Sequence, residues 1–113
     1  MAAATLAFDD HLDQVFQALG NRTRRALLAV LASGPAKVTD LARPFGISLN
    51  AVSKHLAVLE RAGLIERTIT GRIHSCALEG APMADADAWL RRYRAFWGDR
   101  LDRLTRYVEN DMP

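Results

Sequence analysis

One cysteine in 113 residues, Cys76, leaves no partner for an intramolecular disulfide, so packing alone must hold the fold. That usage suits a reducing compartment and places the chain in the cytoplasm. No hydrophobic run approaches the ~20 residues a membrane-spanning helix needs, so no membrane association is expected. The apolar opening from Met1 to Phe8 lacks a basic lead and runs straight into Asp9 and Asp10, unlike a secretory leader. Catalytic signatures are missing as well. There is no glycine-rich phosphate loop, no nucleophile motif and no His-Glu-x-x-His pattern. Ser33, Ser48, Ser53 and Ser75 have no acid–base partner that can be argued from position, so no enzyme and no cofactor are expected. The formal net charge of +2 does not by itself point to a nucleic-acid partner.

What is present is an ordered set of helical stripes. The pattern predicts a mainly α single domain over residues 1–113: about five helices and a small two-stranded antiparallel wing. A first helix spans Asp9 to Leu19, with Leu12, Val15, Phe16 and Leu19 on one side and Gly20 ending it. Asp10, His11 and Asp13 then fall near its start, where the helix dipole favours acids. Asn21 caps a second helix, Thr23 to Ala32, whose core stripe is Ala26, Leu27, Val30 and Leu31. Ser33-Gly34-Pro35 breaks the chain.

Residues 38–63 read as a helix-turn-helix and 64–78 as its wing. Thr39 to Phe45 forms the short first helix, with Pro44 expected in its final turn and Gly46 closing it. After the turn Gly46-Ile47-Ser48, a second helix runs from Leu49 to Arg61, capped by Ser48 and closed by Gly63. Val52, Leu56 and Leu59 share its apolar side, extended by Ile47 and Leu49, with His55 half-buried and hydrogen-bonded at the edge. The opposite side carries Asn50, Lys54, Ala57 and Arg61, flanked by Ala51 and Ser53. No carboxylate appears on this helix before Glu60, whereas a helix built only to face water mixes both signs. Such a helix fits the major groove of duplex DNA.

The wing follows as Leu64 to Ile69, a Thr70-Gly71-Arg72 turn and Ile73 to Leu78. Arg72 at the tip can reach a phosphate or the adjacent minor groove, and Arg67 further back can touch the backbone. Alone, this hairpin is equally compatible with a surface loop whose arginines only solubilise it. Between Arg43 and Arg72 five cations (Arg43, Lys54, Arg61, Arg67, Arg72) face two acids (Glu60, Glu66), a local balance of 5 − 2 = +3. One subunit therefore offers moderate phosphate neutralisation, and two are needed for a useful total.

The last helix supplies the means of pairing. After Gly80-Ala81-Pro82 it runs from about Met83 to Asn110. Ala86, Leu90, Tyr93, Trp97, Leu101, Leu104 and Val108 are spaced 4, 3, 4, 4, 3 and 4 apart. Trp89, Phe96 and Tyr107 widen that stripe. A domain of this size cannot bury so much aromatic surface within itself, so residues 9–19 and 83–110 are expected to form a homodimer interface. Its expected residues are Leu12, Phe16, Trp89, Leu90, Tyr93, Trp97, Leu101 and Leu104. A two-fold dimer sets its reading helices one DNA turn apart, roughly 34 Å, and favours an inverted-repeat site. The rival reading is a winged helix that binds protein and not DNA. The small polar face of Asn50, Ser53 and Lys54 argues against it, because protein-binding surfaces more often expose aromatics there.

The Asn21-Arg22-Thr23-Arg24-Arg25 segment and the run Ile47 to Ile65, with Ala51-Val52-Ser53-Lys54-His55-Leu56 at its core, resemble the ArsR/SmtB family of bacterial winged-helix repressors. The similarity extends from Phe16 to Val108. It implies a homodimer, with first and last helices at the interface, that binds operator DNA and represses a nearby promoter. By position it implies Ser48, Asn50, Ala51, Ser53 and Lys54 as recognition residues, with Arg72 at the wing tip. Metal-sensing members place paired cysteines on the first helix of the motif, or histidines and carboxylates on the last helix. Here Val38 to Phe45 has no cysteine and the last helix has no histidine, so neither sensing site can be built and no metal is expected. His74 and Cys76, two apart on one strand, read as wing packing. The sequence names no effector.

Overall fold

The fold is described from a computed structural model that covers residues 2–111, with side chains for residues 10–110. The chain forms α1 (Ala2–Leu19), α2 (Arg22–Leu31), β1 (Ala36–Lys37), α3 (Val38–Ala42), a 3₁₀ turn (Arg43–Phe45), α4 (Leu49–Arg61), β2 (Ile65–Thr70), β3 (Ile73–Leu78) and α5 (Ala81–Asp111). Five helices and a small antiparallel sheet match the expected winged helix-turn-helix class. The sheet has three strands, in the order β1-β3-β2, where two were expected. Strand β1 is two residues long, too short to show alternation, and it exists through pairing of Ala36 with Cys76 and Lys37 with Ser75, about 40 positions away.

Helix α1 starts seven residues earlier than Asp9. Asp10, His11 and Asp13 therefore lie well inside it, and the dipole explanation for them fails. His11 Nε2 instead sits 4.0 Å from the Asp85 carboxylate of α5. The side chains of Met1 to Asp9, on which the reading of the leader rests, lie outside the described residues.

Helix α2 is capped as expected: the Asn21 side-chain oxygen accepts from the Arg24 N–H at 3.1 Å. Its core residues are Leu27, Leu28 and Leu31, whereas Val30 is 41% exposed, so the apolar stripe is rotated from the expected one. Pro44 does not kink a continuous helix. The α-helical winding stops at Ala42, and Pro44 falls in the first positions of the 3₁₀ turn, where a missing N–H leaves no bond unmade. The turn ends at Gly46.

The hydrogen bond from the Ala51 N–H to Ser48 Oγ, 3.1 Å, starts α4. At its other end the Leu64 N–H donates to the Leu59 carbonyl (3.0 Å) and the Gly63 N–H to the Glu60 carbonyl (2.9 Å). This Schellman closure needs the left-handed backbone of Gly63, φ 76°. Val52, Leu56 and Leu59 are fully buried between α1, α2, α3 and the sheet. Ile47 and Leu49 do not extend that buried side: Leu49 is 49% exposed, because the first turn of α4 overhangs the edge of the core.

Strands β2 and β3 pair from Ile65–Leu78 to Thr70–Ile73, leaving Gly71-Arg72 as a two-residue turn. Gly71 has φ 63° and Arg72 does not have positive φ, the pattern of a type II′ hairpin.

Pro82 is not a break but part of the first turn of α5, where a proline is tolerated. At 31 residues this helix is about 46 Å long. It leaves the body of the fold after Ala86, the last of the described residues buried in the core. The radius of gyration is accordingly 18.5 Å, against about 13 Å for a compact chain of roughly this length. The apolar stripe repeats every 11 residues, Ala86 to Trp97 to Val108. That period, close to 3.67 residues per turn, keeps one side apolar along a long helix with little left-handed drift.

Candidate nucleic-acid interface

The outer side of α4 is built by default once Val52, Leu56 and Leu59 are buried. Ser48, Asn50 and Lys54 are exposed, and Ala51 and Ser53 are half-buried at the margins. Arg72 stands exposed at the hairpin tip. Among the described residues neither Lys54 nor Arg72 takes part in an ion pair, so both keep a full positive charge for a ligand. Arg43 differs, since its guanidinium lies 3.7 Å from Asp40.

Arg67 departs from expectation. Its side chain is only 16% exposed, and Nε lies 3.6 Å from the Glu60 carboxylate at the end of α4. Nε is buried and lacks a hydrogen bond among the described residues. Arg67 therefore ties the wing to α4 and does not offer its charge to a passing strand of DNA. A buried cation keeps a counter-charge because desolvating it alone is costly.

A second cation sets the pose of α4 from behind. Arg24 Nε donates to the Ala18 carbonyl at 2.8 Å and Nη2 to the Gln17 carbonyl at 2.9 Å. Its Nη1 lies 3.4 Å from His55 Nδ1. Neighbouring Arg25 donates to the Leu19 carbonyl at 2.7 Å. Two consecutive arginines thus satisfy the last carbonyls of α1, and one of them joins that helix to the back of α4. His55 is half-buried and hydrogen-bonded, as its place on the stripe suggested.

The fold also brings together residues that the sequence did not group. Lys37 and Thr39 come from the β1–α3 junction and His74 from β3. With Leu49 and Ser53 of α4 and Arg72 of the turn they line a trough of about 420 Å³ between α4 and the wing. These positions share no periodicity, so no sequence pattern could have grouped them.

On the far side of the molecule α1 packs against the start of α5. Phe16 meets Trp89 edge to face, with ring centroids 5.5 Å apart, and Trp89 meets Tyr93 at 4.9 Å. Leu12, expected at a subunit interface, is 6% exposed and belongs to the core of its own chain. The reason is that Leu12 shares one side of α1 with Val15 and Ala18, and that side packs onto the body of the fold. Leu90, Tyr93, Phe96, Trp97, Leu101, Leu104, Tyr107 and Val108 are exposed on α5. An apolar surface of this extent is far larger than a monomer ordinarily leaves in water.

Cys76 is buried beneath the sheet. Burial pushes its thiol above the ordinary value of 9.0, with Arg67 pulling the other way and Glu60 adding a smaller push. A raised acid binds its proton more tightly in the folded chain than in the unfolded one. The stabilisation is complete below the ordinary thiol value and is lost as pH climbs through the raised one. Unfolding free energy should therefore decline more steeply above pH ~9 in the native protein than in Cys76→Ala, as followed by urea titration. Parallel pH profiles would show that Cys76 does not govern this limb.

Residues 19–68 match a helix-turn-helix domain family. The HTH-type transcriptional regulator Rv2034 of Mycobacterium tuberculosis is 49% identical over 99 residues, 88% of this chain and 90% of that protein. A crystal structure of the ArsR family transcriptional regulator RHA00566 superposes with a TM-score of 0.73 at 41% identity, covering 78% of this chain and 97% of that one. The homodimeric winged helix-turn-helix DNA-binding domain of Mb0332 from Mycobacterium bovis, a possible ArsR-family regulator, superposes with a TM-score of 0.64. It is 25% identical and covers 88% of this chain and 89% of that one. No helix among the described residues is long and apolar enough to cross a membrane. A full-length relative at 49% identity, a shared winged helix-turn-helix and an outward-facing α4 agree: this chain belongs to the ArsR family of winged helix-turn-helix transcriptional regulators.

Proposed function

We propose that the protein is a homodimeric repressor that reads an inverted-repeat operator through α4. The observation that carries this reading is the outer side of α4, where Asn50 and Lys54 stand exposed, while Ser53 of the same helix lines one trough with Arg72 of the wing tip. Asn50 has the bidentate amide that suits an adenine edge, and Ser48 and Ser53 can bond either base edges or phosphates. Ala51 keeps the helix close to the groove floor. Lys54 and Arg72 neutralise phosphates, and Arg67 serves by holding the wing against α4. Phe16, Trp89, Leu90, Tyr93, Trp97, Leu101 and Leu104 form the subunit contact, a role supported by the unpartnered stripe of α5 and by the homodimeric neighbour Mb0332. A two-fold dimer covering adjacent major grooves shields a promoter from other proteins, which makes repression the simplest outcome. The site of action is the cytoplasm, where Cys76 stays reduced.

Four phosphate contacts per dimer, from Lys54 and Arg72 in each subunit, predict a slope of log K against log salt of about −3 to −4. Affinity for a palindromic duplex from the upstream region should then fall about a hundredfold between 50 and 200 mM salt. Lys54→Ala should flatten the slope by about two, one contact being lost in each subunit. Fluorescence anisotropy with labelled duplexes checks both numbers. The exposed Ile47 and Leu49 favour a second reading, a protein-binding surface, since apolar residues there could seat a partner. That reading requires duplex binding to be absent or indifferent to salt.

A further inference from the structure

The trough between α4 and the wing has an unbalanced lining. Lys37 and Arg72 project exposed cations from two separate segments, and half-buried His74 faces them from β3. Thr39 and Ser53 add hydroxyls, and Leu49 supplies an apolar wall. No carboxylate lines the cavity. The charged groups around His74 are Lys37 from the β1–α3 junction, Arg67 from β2 and Arg72 from the turn, while α4 contributes no titratable side chain to the lining. Of these cations Arg67 is already matched by Glu60, and the acid nearest Lys37 in sequence, Asp40, lies beside Arg43. Two cations without an ion pair among the described residues and an imidazole thus converge on a space with room for a small polar group, beside the helix end that carries Ser48 and Asn50.

We propose that this trough seats a backbone phosphodiester of the bound duplex, and that His74 takes up a proton as the phosphate enters. The proposal rests on the DNA-reading function of α4 and adds Lys37 and His74 to it as backbone-positioning residues. Lys37 and Arg72 bracket the phosphate oxygens, Thr39 and Ser53 donate hydrogen bonds, and Leu49 packs against the sugar. An imidazole changes charge within the physiological range, and an adjacent anion favours the protonated form. Linkage then fixes the sign: if DNA favours the protonated ring, protons favour DNA by the same factor. Operator affinity therefore rises as pH falls. The other two histidines differ in setting. His55 lies beside Arg24 on the back of α4, and His11 lies beside Asp85 near the α1–α5 contact.

The experiment measures the affinity of the full chain for an operator duplex between pH 6 and 8 at constant salt. The native protein should tighten about tenfold on going from pH 8 to pH 6, whereas His74→Gln, which preserves size and polarity, should lose most of that change. Lys37→Ala, which removes one of the two cations bracketing that phosphate, should weaken operator binding about tenfold at low salt. A pH profile unchanged by His74→Gln, or an affinity at low salt unchanged by Lys37→Ala, overturns the assignment even though the duplex is still bound. Absence of duplex binding by the native protein at every pH instead removes the reading beneath it. Inorganic phosphate supplies the last arm: if millimolar phosphate alone shifts the His74 ring resonances of the free protein as far as duplex does, the trough is a small-anion site and the proposal fails.

Discussion

Trp97→Ala is expected to turn a dimer into a monomer at micromolar concentration. Trp97 is 57% exposed on a helix that stands clear of the core, so its own chain gains little from it and the stability of the monomer should barely change. Across a subunit contact, removing a central tryptophan typically costs about 2–4 kcal/mol, and two-fold symmetry makes the loss occur twice. At about 1.4 kcal/mol per decade, the dissociation constant should rise by roughly three decades or more. Sedimentation velocity over a concentration series reads this directly, and circular dichroism confirms that the helices survive. Operator affinity should fall in parallel, since one subunit carries only half of the phosphate contacts. A variant that remains dimeric at the same concentrations would show that α5 pairs through another side or not at all.

Arg24→Ala is expected to have the largest effect on folding stability among the polar residues. The side chain satisfies two carbonyls at the end of α1 and reaches the ring of His55 on α4, so three groups lose a partner at once. Hydrogen bonds from a charged donor contribute about 1.5–3 kcal/mol each where they are desolvated, and the carbonyl of Gln17 lies at an exposed position. Solvent replaces part of what is lost, which leaves a net destabilisation of about 2–3 kcal/mol. Arg24→Lys should recover little of it, because an ammonium cannot point three ways from one plane. Urea titration of the three proteins tests this. A loss within the ±0.5 kcal/mol usual for surface substitutions would mean that the α1–α4 tie is decorative.

These two residues differ in how legible their roles are in the sequence. Trp97 announces itself, because seven apolar positions repeat at helical spacing and aromatic rings cluster on one segment. Arg24 looks like one more cation in a basic run, and only the fold reveals that it turns back onto α1. Asn21, Ser48 and Gly63 were likewise plain from the sequence, since caps depend on chemistry within three or four residues. The half-burial of His55 follows from the same local spacing, whereas its partner Arg24 lies 31 positions away.

Periodicity reached its limit wherever burial depended on how far a helix overhangs its neighbours. Leu49 shares the angular position of Val52 and Leu56 yet is half exposed, because the core ends one turn earlier. Leu12 and Trp89 both belong to apolar stripes, but Leu12 lies on the side of α1 that packs onto its own core, whereas Trp89 lies beyond Ala86 and stays 37% exposed. Strand β1, the Arg67–Glu60 tie and the Lys37–Arg72–His74 trough all depend on contacts between residues far apart in the chain.

Helical stripes, caps, the hairpin turn and the polar outer side of α4 were thus settled by the order of amino acids, because each arises among residues a few positions apart. Which apolar side chains remain for a second subunit, which arginines stay free for phosphate, and which distant groups share one cavity were decided only by the packed chain. Those outcomes depend on where elements end against one another in space, and no local spacing encodes that.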